Sequence, residues 1–158
     1  MMDKSDEKFL QEAIELSKDN QDNGGGPFGA VIVKNGEVIA RSGNTVTKDN
    51  DPTAHAEINA IRKATEKLQD FELKGCVLYS SCEPCPMCLG AIYWARLDRL
   101  CFAATREDAK DAGFDDSFIY KEIQLHYDRR NLPTEQAMRD VAIEAFEKWK
   151  NLDNKIEY

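Results

Sequence analysis

Two short stretches carry residues able to bind a metal ion and move a proton: Thr53-Ala54-His55-Ala56-Glu57 and Pro84-Cys85-Pro86-Met87-Cys88. The chain has only two histidines, so His55 is not background. Cys85 and Cys88 stand three apart at an expected helix start. Neighbours at i and i+3 share a helix face, so both sulfurs can turn toward one ion. A helix N-terminus also favours the thiolate form. Thirty residues separate His55 from Cys85, room for the rest of a helix and a strand. Two thiolates and one imidazole suit zinc, and three protein ligands leave one tetrahedral position open for chemistry. Glu57 is two residues from His55, too close to ligate comfortably. A non-ligating carboxylate there can take the proton of a zinc-bound water and pass it on.

Other arrangements use the same sulfurs. Cys82 could complete a closed structural zinc site through Cys82-x2-Cys85-x2-Cys88, but Glu57 would then have no role. An iron–sulfur cluster would need a further cysteine before a proline, which is missing. A dithiol redox pair at Cys85 and Cys88 leaves His55 unused. Cys76 and Cys101 fall inside apolar strands and read as inert core thiols.

The elements that must position these residues follow from periodicity. Residues 6–20 read as an amphipathic helix with Phe9, Leu10, Ala13, Ile14 and Leu16 on one face, capped by Ser5 or Asp6. Residues 30–34 read as a buried strand, Asn35-Gly36 as a two-residue hairpin turn, and 37–44 as the return strand. Asp51-Pro52-Thr53 opens a second helix with Ala56, Ala60, Ile61, Ala64 and Leu68 on its apolar side. A strand at 76–80, a helix starting within 85–96 and a strand at 99–103 follow. Alternation of helix and strand after the hairpin implies parallel pairing, with helices on both sheet faces. Residues 134–152 form a long amphipathic helix with Thr134 as N-cap, packed on its own sheet or docked on a second subunit.

Composition sets the remaining bounds. A chain of 158 residues fits one domain, and 42% apolar with 32% charged residues is ordinary globular usage. A formal charge of −8 opposes unaided binding to phosphate backbones, so nucleic acid is not an expected partner. No apolar run approaches the roughly 20 residues of a membrane helix, and MMDKSDEKF lacks the apolar core of a signal peptide. A cytoplasmic protein that engages no membrane is expected. Three of the five cysteines lie within seven residues, which in a reducing compartment points to metal or redox chemistry.

His55-Ala56-Glu57 followed by Pro84-Cys85-Pro86-Met87-Cys88 resembles the signature of the zinc deaminases. That resemblance implies a cytidine-deaminase-like α/β fold: three α/β/α layers around a five-stranded mixed sheet. It also implies one catalytic zinc per subunit, held by His55, Cys85 and Cys88, with the zinc-bound water as nucleophile and Glu57 as proton shuttle. Over most of the chain, GGPFGAVIVK, NDPTAHAE, SCEPCPMCLGAIYWAR and GFDDSFIYKE are similar to the bacterial guanine deaminases of this superfamily. The resemblance then implies hydrolytic deamination of guanine to xanthine and ammonia, with Asp116 joining Glu57 in proton transfer. It implies a homodimer of single domains, residues 1–158. The C-terminal segment, about 113–158, is exchanged and completes the partner's active site. Region 124–150 matches least. Phe28 would line the base pocket and Asn44 would bind the purine edge. Ala56 and Trp94 complete the substrate-contacting set, with Asp116 and Tyr158 arriving from the other subunit.

The residues also carry plainer readings. Phe28 follows Gly24-Gly25-Gly26-Pro27, a turn-rich loop that could bring its ring to a flat ligand, or it is a core side chain. The Asn44 amide can both donate to and accept from a heterocycle edge, or it ends a strand at a turn. Asp115 and Asp116 could equally begin the helix of SFIY, and only the resemblance prefers Asp116. Trp94 also reads as packing, and His126 as a surface residue. Rival chemistries on the same motif are deamination of adenosine in tRNA, which needs a basic surface, and of guanosine, cytosine or triazine bases. A zinc-stabilised binding module without catalysis is the rival of another class.

Overall fold

The first helix, α1, spans Lys4–Asp22 in a computed structural model that describes residues 2–158. It begins earlier than expected. Its cap is Asp3, not Ser5 or Asp6: the Asp3 carboxylate accepts from the Ser5 and Asp6 N–H groups, and Asp6 accepts from the Asp3 N–H. This reciprocal pair satisfies donors that the first helical turn leaves open. Phe9 and Ala13 form its buried side.

The chain then makes a hairpin of β1 (Gly29–Lys34) and β2 (Glu37–Gly43). Asn35 and Gly36 both take left-handed backbone angles, as a two-residue turn matched to the strand twist requires. A short helix α2 (Val46–Asp49) follows, then α3 (Ala56–Leu68), β3 (Cys76–Cys82), α4 (Pro86–Trp94), β4 (Arg99–Ala104) and α5 (Arg106–Asp111). Helix α3 starts later than Asp51-Pro52-Thr53 suggests. The Asp51 carboxylate accepts from both the N–H and the hydroxyl of Thr53, which holds these residues as a turn.

The sheet has the order β2-β1-β3-β4. Strand β1 runs antiparallel to both β2 and β3, and only β3–β4 is parallel, across the α4 crossover. The pairing is therefore mixed, and the described residues form four strands, not the expected five. Periodicity marks these same four, and the fifth is implied by the resemblance alone. After β4, Thr105 caps α5 with Asp108 in a reciprocal pair, and the charged stretch REDAKD runs as helix.

Strand β1 is buried on both faces and sits between two cores. Ala30 and Ile32 face Ala56, Ala60, Ala64, Leu78 and Ile92 on the side of α3 and α4. Val31 and Val33 face Phe9, Ala13 and Tyr79 on the side of α1. This is the three-layer α/β/α arrangement. The alanines at four-residue spacing on α3 let its backbone lie close to the sheet. On the opposite face, the buried carboxylate of Asp6 accepts from the Tyr79 hydroxyl at 2.6 Å and pairs with Arg99, tying the start of α1 to β3 and β4.

Residues from Ser117 onward form a second compact unit. It contains α6 (Ser117–Glu122), a 3-10 turn (Tyr127–Arg129) and α7 (Arg139–Lys150). Helix α7 is shorter than the expected 134–152. Met138, its N-cap, is left-handed, so the residues before it cannot share the right-handed helix, and the Thr134 hydroxyl bonds the Leu132 carbonyl instead of capping. Neither α6 nor α7 buries a residue, and Phe118, Ile123, Val141 and Phe146 are exposed. His126 is an exposed residue paired with Asp128, as expected of a surface position. Among the described residues, no helix is long and apolar enough to cross a membrane.

Candidate active site at two helix N-termini

His55 and Cys85 occupy equivalent positions. Each is the N-cap of its helix, α3 and α4 respectively, and neither side chain is used for capping. The side chains are thus presented beside the positive helix ends without being consumed by them. Cys88 lies one turn into α4, on the same side as Cys85. The His55 Nδ1 lies 3.6 Å from the Cys85 Sγ and 3.5 Å from the Cys88 Sγ. All three donor atoms lie within 4.8 Å of one another. Ordinary Zn–N and Zn–S bonds at a tetrahedral angle require an N···S separation of about 3.6 Å, so this donor set fits zinc in both chemistry and spacing.

The three side chains shift one another's proton affinity through these short contacts. Cys85 is drawn down to about 4, first because the Cys88 thiol donates to it, and further by His55, against the opposing effect of burial. The same bond, together with burial, pushes Cys88 far up. His55 is raised, chiefly by its bond to Cys85. A bound dication would replace the proton that Cys88 retains.

Glu57 stands on the first turn of α3 and is only 6% exposed. Its Oε1 accepts from the Ser80 hydroxyl at 3.2 Å, and its Oε2 lies 3.5 Å from the Cys88 Sγ. Burial raises its pKa, so this carboxyl holds a proton more readily than a surface acid. It is outside the metal-binding trio. Asp116 also feels the site: its charge raises His55, while burial and then the Cys85 charge raise Asp116 itself. This Asp116 belongs to the same chain, whereas the resemblance expected it from a partner.

The remaining expected contacts differ in kind. The Phe28 ring packs edge-on against Phe114 at 4.9 Å and borders an apolar cavity of about 370 Å³ that also includes Ile14, Ser81 and Cys82. Asn44 is buried, and its Oδ1 accepts from the Val46 N–H at 3.2 Å, which is the turn role that the sequence offers as one of its two readings. The Ala56 methyl is wholly enclosed in the core, so only its backbone could meet a ligand. Trp94 is 63% exposed with the Arg96 guanidinium over its ring, which rules out a core-packing role. Tyr158 lies in the second unit and is 72% exposed.

Cys82 does not join the trio. It is buried, points its thiol at the Thr105 carbonyl 3.5 Å away, and is pushed up to about 11 by burial. The closed four-ligand zinc site is therefore not built. Cys76 and Cys101 are buried core thiols. Ser80 escaped the sequence reading. Its one visible signal was a polar residue at a strand position whose two-residue neighbour, Leu78, faces α3.

The chain is similar to known proteins over nearly its whole length. The family model of the cytidine and deoxycytidylate deaminase zinc-binding region matches residues 3–104. Guanine deaminase of Bacillus subtilis is 54% identical over 96% of this chain and 98% of that protein. The X-ray structure of the B. subtilis guanine deaminase superposes with a TM-score of 0.94, at 52% identity, covering 99% of both chains. A tRNA-specific adenosine deaminase of Aquifex aeolicus is 42% identical over 68% of this chain and 70% of that protein. With a family match across its metal-binding half and a full-length relative on the same fold, the chain belongs to the zinc-binding cytidine and deoxycytidylate deaminase family, as a homologue of bacterial guanine deaminase.

Proposed function

We propose that this protein hydrolyses guanine to xanthine and ammonia. The observation that carries this reading is a buried carboxylate, Glu57, set against a His55–Cys85–Cys88 trio in a chain that aligns end to end with a guanine deaminase. Zinc, held by His55, Cys85 and Cys88, supplies a Lewis acid that makes water nucleophilic at neutral pH. Glu57 accepts a proton from the attacking water and returns it to a ring nitrogen as C2 becomes tetrahedral. Glu57 or Asp116 then protonates the departing amine, releasing ammonia and leaving xanthine. The elevated pKa of each acid suits this work, because an acid that stays fully ionised could not donate.

Phe28 provides a flat apolar wall for the purine. Asn44, whose oxygen is engaged by Val46, offers the NH₂ side of its amide to the purine edge. Ala56 contributes its backbone N–H, one of the unpaired donors of the first helical turn. Trp94 closes the rim. The net charge of −8 favours this small neutral substrate over nucleic acid.

The working unit is a cytoplasmic homodimer of single deaminase domains. The segment following Asp116 is exchanged, and Tyr158 of that segment completes the partner's site. The exposed apolar residues of residues 117–158 support this arrangement.

Ammonia release by zinc-loaded protein, compared across guanine, guanosine, adenine and cytosine, tests the reaction. Activity confined to guanine supports it, and activity on guanosine instead overturns the small-base pocket. Glu57→Gln should keep its zinc and lose turnover. Asp116→Asn should lose guanine turnover while keeping zinc. Mixing Glu57→Gln protomers with protomers lacking Tyr158 should restore activity if sites are shared. No recovery after verified subunit exchange would count against the exchanged segment.

A further inference from the structure

We propose that Asn20 is a positioning residue that sets the spacing between the two base-recognition elements, the loop carrying Phe28 and the strand end carrying Asn44. The inference rests on the reading that Phe28 and Asn44 hold the purine. Asn20 lies in the last turn of α1 and touches neither the metal-binding trio nor Glu57. Its side-chain NH₂ donates to two carbonyls from separate segments, Gly26 at 2.7 Å and Asn44 at 2.8 Å. Two acceptors on one side require the nitrogen there, which settles the amide's orientation. Further backbone bonds complete the clasp. The Gly25 N–H donates to the Asn20 carbonyl at 2.9 Å, and the Asn44 N–H donates to the Phe28 carbonyl at 3.2 Å.

Glycines make room for this amide. A Cβ on Gly25 would lie 2.2 Å from the Asn20 Nδ2 and 2.4 Å from the Asn44 carbonyl oxygen. A Cβ on Gly43 would lie 2.2 Å from the Asn20 Oδ1. Neither glycine has a positive φ, so both serve close approach, not a special backbone angle. Two turns of chain thus close around one carboxamide, and the residues that emerge from them are the pocket wall and the edge-reading amide. Gly26 differs, since a Cβ there would meet the Asn44 side chain and the Phe28 ring only at ordinary van der Waals distance, 3.4–3.5 Å.

The test separates a clasp from a filler. Asn20→Asp keeps the shape but sets an oxygen against two carbonyl oxygens, whereas Asn20→Ala removes the group. Both are compared with Asn44→Ala for guanine KM, kcat, zinc per protomer, thermal midpoint and hydrogen exchange at the Phe28 and Asn44 amides. A clasp predicts that Asn20→Asp raises KM about tenfold or more, at least as severely as Asn20→Ala. Exchange at those two amides should speed up while kcat and zinc content hold. A normal KM in Asn20→Asp, with Asn44→Ala impaired, overturns the clasp alone. A normal KM in Asn44→Ala overturns the base-recognition reading and this inference with it. Parallel loss of kcat or zinc also overturns it, because that reports collapse of the fold and not of the base pocket.

Discussion

Removing the Ser80 hydroxyl should cost this enzyme activity out of proportion to its size. Ser80 is fully buried on β3, donates to Glu57 at 3.2 Å and accepts from the Cys82 N–H at 3.4 Å. Glu57 also lies against Cys88, so Ser80 is a main restraint on which way the carboxylate faces. A hydrogen bond to a charged group contributes about 1.5–3 kcal/mol net. If that restraint is fully expressed in the transition state, Ser80→Ala lowers kcat/KM roughly 10- to 150-fold. The same loss, read as stability in a chain of 158 residues, lowers the unfolding midpoint by about 3–12 °C. The assay is steady-state ammonia release from guanine, well below the variant's midpoint, with zinc measured per protomer. Ser80→Thr, which keeps the hydroxyl, should recover most of the rate. Wild-type kcat/KM in Ser80→Ala, with the midpoint lowered, would refute the reasoning, because Ser80 would then support only the fold.

Three other outcomes follow from the same structure. Cys82→Ser should retain one zinc per protomer and most activity, whereas Cys88→Ser should lose the metal, checked by metal analysis after gel filtration; zinc loss in Cys82→Ser would restore the closed-site arrangement. Leu78→Ala should destabilise by about 3–5 kcal/mol in denaturant titration, because its neighbours are alanines of a helix already close to the sheet, with little side chain to fill the gap. Asp6 is held well below the usual carboxylate range, first by the Arg99 guanidinium and then by the Tyr79 hydroxyl. Its contribution is therefore present above the ordinary carboxylate value of 3.8 and lost as pH falls toward its folded value. Below about pH 4 the wild-type midpoint should fall more steeply than that of Asp6→Asn, and matching slopes would assign acid sensitivity elsewhere.

The ligands of the metal site were legible because each of the two segments marks its own locally, although the segments meet across 30 residues of chain. The i, i+3 spacing of Cys85 and Cys88, a helix start at each ligand segment and an acid two residues from His55 are all sequence properties. The Asn35-Gly36 hairpin and both strand cores were legible for the same reason, since turn angles and two-residue periodicity act over a few positions. What failed depended on contacts between distant segments. The five-stranded sheet came from the resemblance alone; periodicity marked four strands, and the sheet has four. The start of α3 moved because Asp51 spends its carboxylate on Thr53. Cys82 is the exception: the sequence already set it aside as a ligand because Glu57 would have no role, and its thiol is indeed turned to the Thr105 carbonyl. Ser80 and Asn20 carry no motif at all. One reaches Glu57 across 23 residues and the other reaches Asn44 across 24, so only folding gives either of them a partner. The sequence by itself determined which chemistry the chain can perform. The tertiary structure decided which groups hold that chemistry in place, because orientation is set by hydrogen bonds and close approaches between segments that no local pattern connects.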